Sequence, residues 1–225
     1  MFSWLPENVS TFGQDIDAVF YLILYITAFW FVLTEGLLIF ILIRYRRGEG
    51  RRASYFTGNT LRQAAWSLIP GLIVLILDLW IDFRGAAVWA RIKGSVPTAQ
   101  QQVRVVGKQF NWEMTYPGPD RQWGTPDDLM VENELHVPVG KVIRIILSSK
   151  DVIHSFYLPH LRLKQDALPG REVVAWFEAT KVGEYEMPCA ELCGFGHSGM
   201  NGRLYVYSAD DYAKWLAENW PRKGN

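Results

Sequence analysis

Two long apolar runs, followed by a change of period, organise the chain. Ala18 to Ile43 carries one charge, Glu35. The run is long enough to cross a bilayer as a tilted helix. A carboxyl in hydrocarbon is costly, so Glu35 is expected to face protein or to stay protonated. Ala64 to Phe83 is the second run. It is free of charge up to Leu77 and then meets Asp78 and Asp82. These acids lie four residues apart, on one helical face. They fall in the outer part of the span, where charge costs less. A hydrated helix end and a contact with another subunit both account for them.

Between the runs Arg44, Arg46, Arg47, Arg51, Arg52 and Arg62 crowd one connection. The positive-inside rule puts that loop in the cytoplasm, and the two ends of the hairpin outside. Residues 1–17 are polar, with Glu7, Asp15 and Asp17 and no basic residue. The first run is too long for a signal-peptide core, so it is read as retained.

After a linker at 94–102, rich in small and turn-forming residues, the period shortens. Val103–Val106, Phe110–Tyr116, Lys141–Leu147, Val173–Phe177, Tyr185–Met187 and Arg203–Tyr207 read as strands. Six to eight such runs in this length predict an all-β Greek-key sandwich. Ser208 with Asp210 and Asp211 then opens a terminal helix, with the acids at its positive end. The expected division is an N-terminal segment and transmembrane hairpin (1–93), a linker (94–102) and a β domain with a C-terminal helix (103–225). The turn-rich, acidic loop 117–128 matches no EF-hand spacing and reads as a solvated loop.

Composition changes this picture little. Hydrophobic content of 49% supplies both spans and a core, and 23 basic against 23 acidic residues point to no nucleic-acid partner. The two cysteines are more informative. Both lie in Met187-Pro-Cys-Ala-Glu-Leu-Cys-Gly-Phe-Gly-His-Ser-Gly-Met200, as Cys-x3-Cys-x3-His-x2-Met. His154 stands upstream in Asp151-Val-Ile-His-Ser. Two thiolates, two imidazoles and a thioether suit copper better than calcium, magnesium or manganese. Taken by residue type alone, three other readings stay open. These are a Cys2His2 zinc site in a membrane-anchored interaction module, a disulfide, and a catalytic Cys–His pair.

The copper-type loop and the Asp-Val-Ile-His-Ser motif resemble cytochrome c oxidase subunit II. So do Gly58-Asn-Thr60, Trp66, Pro70, Gly107-Lys-Gln109 and Asp166-Ala-Leu-Pro-Gly170, so that the resemblance spans about residues 15–220. It implies a cupredoxin-like sandwich behind a two-helix transmembrane hairpin in a bacterial-type inner membrane. It also implies a binuclear copper centre (CuA) held by His154, Cys189, Cys193, His197, Met200 and the main-chain carbonyl of Glu191. The Glu191 side chain would reach magnesium at the boundary with subunit I. Electrons would enter here from cytochrome c or a similar donor and pass to haems in subunit I, where oxygen is reduced.

The chain departs from the family pattern twice. The family's Gln-Trp-Tyr-Trp run is Gln109-Phe-Asn-Trp112 here, so Phe110 replaces the aromatic that takes electrons from the donor. Trp112 and Trp123 are the alternative candidates. At the family's cytoplasmic proton-channel mouth, three residues before Trp66, a Glu is replaced by Gln63. An amide cannot titrate. Both changes keep open a second reading, in which the same centre feeds a haem–copper nitric oxide reductase.

Overall fold

A computed structural model describes residues 5–55 and 57–220. The chain separates into two compact units, Asp15–Arg91 and Met1–Gln14 with Ile92–Asn225.

The first unit holds helices α1 (Gly13–Arg44) and α2 (Leu61–Trp89), the latter running on as a π-helical turn over Ala90–Gly94. Both helices are long and apolar enough to cross a membrane. Helix α2 buries no residue and α1 only Gly13, so their apolar side chains are left for lipid or a partner. Each helix begins before its apolar run because a hydroxyl satisfies free N–H groups at its start. Ser10 Oγ accepts from Phe12 and Gly13, and Thr60 Oγ1 from Gln63. Asp15 and Arg91 form an ion pair between the start of α1 and the turn after α2. Glu35, Asp78 and Asp82 are exposed.

The second unit is a two-layer β-sandwich. Strands β1 (Gln101–Lys108), β2 (Asn111–Tyr116), β3 (Leu129–Glu132), β5 (Val142–Ser149) and β8 (Val173–Glu178) form one sheet, in the order β3-β2-β1-β5-β8. Strands β4 (Glu134–Pro138), β10 (Asn201–Tyr207) and β9 (Gly183–Pro188) form a second. The hairpin of β6 (His154–Leu158) and β7 (Leu163–Ala167) joins that layer through a bridge between Phe156 and Cys189. Parallel pairing of β1 with β5 and of β4 with β10 gives the crossed connections expected of a Greek key.

Strict alternation builds the core. Ile143, Ile145 and Leu147 of β5 and Val103 and Val105 of β1 point inward. They meet Trp112, Met114, Leu135, Val137, Phe156, Phe177, Met187 and Leu204, all buried. The sequence did not mark β3, β4, β6 and β7. They are four or five residues long and carry polar residues such as Glu132, Glu134, Lys164 and Asp166. Tertiary pairing makes them strands. Helix α3 (Ala209–Asn219) begins as expected, with Ser208 Oγ accepting from the Asp211 N–H.

The sequence grouped the N-terminal segment with the hairpin. Residues 5–14 instead join the β unit, because they add backbone pairing and two buried apolar anchors. Val9 donates to His160 C=O at 2.9 Å, and Thr180 donates to Val9 C=O at 2.8 Å. Val9 and Phe12 are buried, and Phe12 meets Trp176 edge to face at 5.2 Å. Trp176 in turn donates Nε1–H to Ile92 C=O at 2.7 Å. Phe12→Ala should remove about 3 kcal/mol of docking energy. Amide exchange is expected to quicken at Val9 and Thr180 while the amides of β5 keep their protection.

Candidate metal centre

The site is the connection between two neighbouring strands. Strand β9 ends at Pro188 and β10 begins at Asn201, and these two residues are register partners. Residues 189–200 are therefore a closed excursion, sealed where Cys189 N–H donates to Met200 C=O at 3.0 Å. The loop is docked to β6 by Ala190 N–H on Ser155 C=O at 2.9 Å. That docking brings His154, from a distant part of the sequence, beside Cys189. A 3₁₀ turn over His197–Gly199 then folds the far end of the loop back, with Met200 N–H on His197 C=O at 3.1 Å.

The donor atoms fall into two groups, one on each sulfur. Cys189 Sγ is 3.9 Å from His154 Nδ1 and 3.3 Å from the Glu191 carbonyl oxygen. Cys193 Sγ is 3.6 Å from His197 Nδ1 and 3.8 Å from Met200 Sδ. The ligand atoms of His154, Cys189 and Cys193 all lie within 4.8 Å of one another. Both thiols are free and buried. Two thiols, two imidazoles, a thioether and a carbonyl are a soft-to-borderline set that fits copper.

Second contacts fix the imidazole on the Cys189 side. His154 is fully buried, and its Nε2 faces Asp151 Oδ1 at 2.8 Å, which leaves Nδ1 toward the sulfur. Burial alone would raise the Asp151 pKa. Hydrogen bonds from the Gln109 and Val152 N–H groups and the His154 ring outweigh it and hold the carboxyl at about 2. Burial, and then the neighbouring Cys189, push the Cys193 thiol up to about 11. A metal must therefore displace protons to bind.

Gly107 makes room for this packing. It occupies the inward position after Val103 and Val105, where a Cβ would lie 2.9 Å from His154 Cδ2 and 3.1 Å from the Trp112 ring. Both rings are buried and cannot swing aside. Trp112, one of the candidates for electron uptake, is wholly buried and packs edge-on against His154 at 5.8 Å. Phe110 is 37% exposed and lies over the loop, its ring where side chains on Gly194 and Gly196 would have to go. Trp123 stands apart from the copper loop. It stacks on the Arg104 guanidinium at 4.7 Å and lines a cavity of about 630 Å³ with Tyr212 and Trp220.

The remaining candidates are more peripheral. The Glu191 side chain is exposed, and only its carbonyl joins the cluster. Gln63 lies in the first turn of α2, and its Oε1 is buried without a hydrogen-bond partner among the described residues. In the acidic loop, Asp127 and Asp128 accept from Thr125, Gly118 and Gly124, so the turn itself uses these carboxylates.

A sequence profile of the periplasmic domain of cytochrome c oxidase subunit II matches residues 109–204. The chain is 33% identical to cytochrome c oxidase subunit 2 of Thermostichus vulcanus, over 96% of this chain and 78% of that protein. It is 30% identical to an alternative cytochrome c oxidase subunit 2 of Bradyrhizobium diazoefficiens, over 96% and 83%. The chain belongs to the cytochrome c oxidase subunit II family. The crystal structure of the periplasmic domain of a Bradyrhizobium japonicum subunit II superposes with a TM-score of 0.50 at 34% identity, covering 56% of this chain and 96% of that one. The sandwich is thus a cupredoxin-like subunit II domain. With two apolar helices before it, the chain is a membrane-anchored subunit of a haem–copper oxidase complex with an extracellular domain.

Sequence reasoning quoted Gly107, Gln109 and Asp151 as parts of subunit II motifs without giving them roles. The place of Asp151 three residues before His154 was the available signal. Gly107→Ala should destabilise the β unit by about 1–3 kcal/mol through overpacking. Denaturant unfolding of the metal-free chain measures this, and an unchanged midpoint would contradict the packing described.

Proposed function

We propose that this chain is the subunit through which electrons enter a haem–copper oxidase, accepting them at a binuclear copper centre. One observation carries the reading. Each of two neighbouring cysteine sulfurs has its own imidazole and its own weak donor, a set with enough donors for two metals. A single tetrahedral zinc would leave Met200 without a role. His154, Cys189, the Glu191 carbonyl, Cys193, His197 and Met200 would together hold the two coppers. A copper pair bound there would supply one-electron transfer.

The protein's part is to hold donors still and exclude water. Buried Cys189, Met200 and His154 stand at strand ends, and buried Cys193 is held within the loop by the Gln109 side-chain amide on its carbonyl. Phe110 covers the loop on the side where the family's aromatic meets the donor, which makes it the candidate contact for cytochrome c or a similar carrier. The exposed Glu191 carboxylate would face magnesium and subunit I, where the haems and the oxygen chemistry lie. Oxygen is the proposed acceptor, because the relatives over most of the chain are cytochrome c oxidase subunits. The N-terminal residues that pack into the β unit support a topology with both on the outer side and the arginine loop in the cytoplasm.

The reconstituted chain should take up two coppers and become coloured. His197→Ala should insert in the membrane normally but lose electron uptake by about 10-fold or more, since even outer contacts to a metal ligand are worth that much. Copper-to-protein ratio, absorption spectrum and stopped-flow reduction measure these outcomes. Zinc retained to the exclusion of copper would overturn the reading. A cysteine introduced at Lys150 should react with impermeant label only from the outer face.

A further inference from the structure

A buried carboxylate outside the metal loop connects to both halves of the site. Glu113 lies in β2 with a side chain only 10% exposed. Register places it opposite Val106 of β1 and Glu132 of β3. Directly opposed carboxylates repel across strands. Lys108, two residues beyond Val106 and on the same face, bonds Glu113 and reaches Glu132 at 3.2 Å. Lys150, just past the end of β5, bonds the other oxygen of Glu113.

Each lysine immediately precedes a residue that touches the centre. After Lys108, Gln109 donates its N–H to Asp151 Oδ2 at 2.7 Å and its side-chain amide to the Cys193 carbonyl at 2.6 Å. After Lys150, Asp151 holds the His154 ring. Lys150 N–H also bonds Gly107 C=O at 2.9 Å, fastening the two strand ends together. We infer that Glu113 is a positioning residue of the metal centre. By clamping Lys108 and Lys150 it fixes the two strand ends from which Gln109 places the Cys193 half and Asp151 the His154 half.

The energetics favour a clamp over a surface ornament. Exposed ion pairs contribute little, but this carboxylate is buried and uses both oxygens. Losing its charge leaves two ammonium groups facing each other, and losing one lysine leaves a poorly compensated buried charge. The inference deepens the copper reading and rests on it.

The test uses the full chain in detergent, as wild type, Glu113→Gln and Lys150→Gln. In the metal-free chain, either substitution should speed exchange of the Gln109 and Lys150 amides by about 10-fold or more while the amides of β8 and β10 hold. In the copper-loaded chain, retention against a chelator should fall about 10-fold, the scale of contacts one shell out from a metal. The absorption bands should shift as well. Wild-type retention and exchange in both variants would overturn the inference and leave the copper reading intact. A uniform rise in exchange across all strands would also overturn it, reducing Glu113 to a general stabiliser. If the wild type forms no two-copper centre, the copper reading fails, and the inference falls with it whatever the exchange pattern. Should Glu113→Gln not fold, Lys150→Gln opens the same clamp from its exposed end and decides the matter.

Discussion

The site depends on one docking contact, the junction of β6 with the end of β9. The Phe156–Cys189 bridge and the Ala190 N–H on the Ser155 carbonyl put His154 against Cys189. No local sequence feature could do this, since the imidazole comes from the other side of a long excursion through β7 and β8. Everything else at the centre is arranged around that junction. Trp112 backs the imidazole, Gly107 clears space for it, and Asp151 turns its ring. The loop that carries the remaining donors closes on itself between the register partners Pro188 and Asn201. His154, Cys189 and Met200 sit where backbone pairing on strands fixes them, which is the rigidity the proposed electron-carrying role would use.

Close packing makes the glycines part of the same constraint. A Cβ on Gly202 would fall 2.3 Å from Met187 Cε, and one on Gly196 2.5 Å from the Phe110 ring. Interiors packed at crystal-like density leave no slack to absorb such contacts. The Phe110 substitution fits this frame. A smaller ring than the family's indole still lies on Gly194 and Gly196, so the cover over the loop is kept while the polar N–H of the indole is lost.

Much of this was legible in the sequence, for physical reasons that can be named. The two helices announce themselves because nothing but a long apolar run can satisfy lipid, and α3 because Ser208 and its acids mark a helix start. The strands β1, β5 and β8 alternate cleanly because one face is core. The loop donors were readable because thiol, imidazole and thioether at short spacing have few other uses. The short strands β3, β4, β6 and β7 were not readable, since their pairing depends on neighbours far away in sequence. The N-terminal segment reads only as polar and acidic. Its attachment to the β unit, through buried Val9 and Phe12, backbone bonds and the Glu7–Lys181 ion pair, leaves no periodic pattern in the sequence. Nothing in the sequence links Glu113 with Lys108 and Lys150, and only register and burial show that the three converge.

The order of dependence also separates this domain from small metal-built folds. In a zinc finger the metal supplies the folding energy, because there is too little core without it. Here the core is complete away from the donors: Ile143, Ile145, Leu147, Val103, Val105, Phe177 and Leu204 are fully buried and carry no donor atom. The end of β9 places Cys189, and the loop that carries Cys193 is sealed by backbone hydrogen bonds and by the Gln109 amide. Metal binding to such a site adds to stability without creating the fold. Its cost falls instead on protons, since burial and the Cys189 neighbour keep the Cys193 thiol protonated until a metal displaces the proton. The sandwich thus sets the geometry in advance, and part of the free energy of metal binding would go into displacing the Cys193 proton.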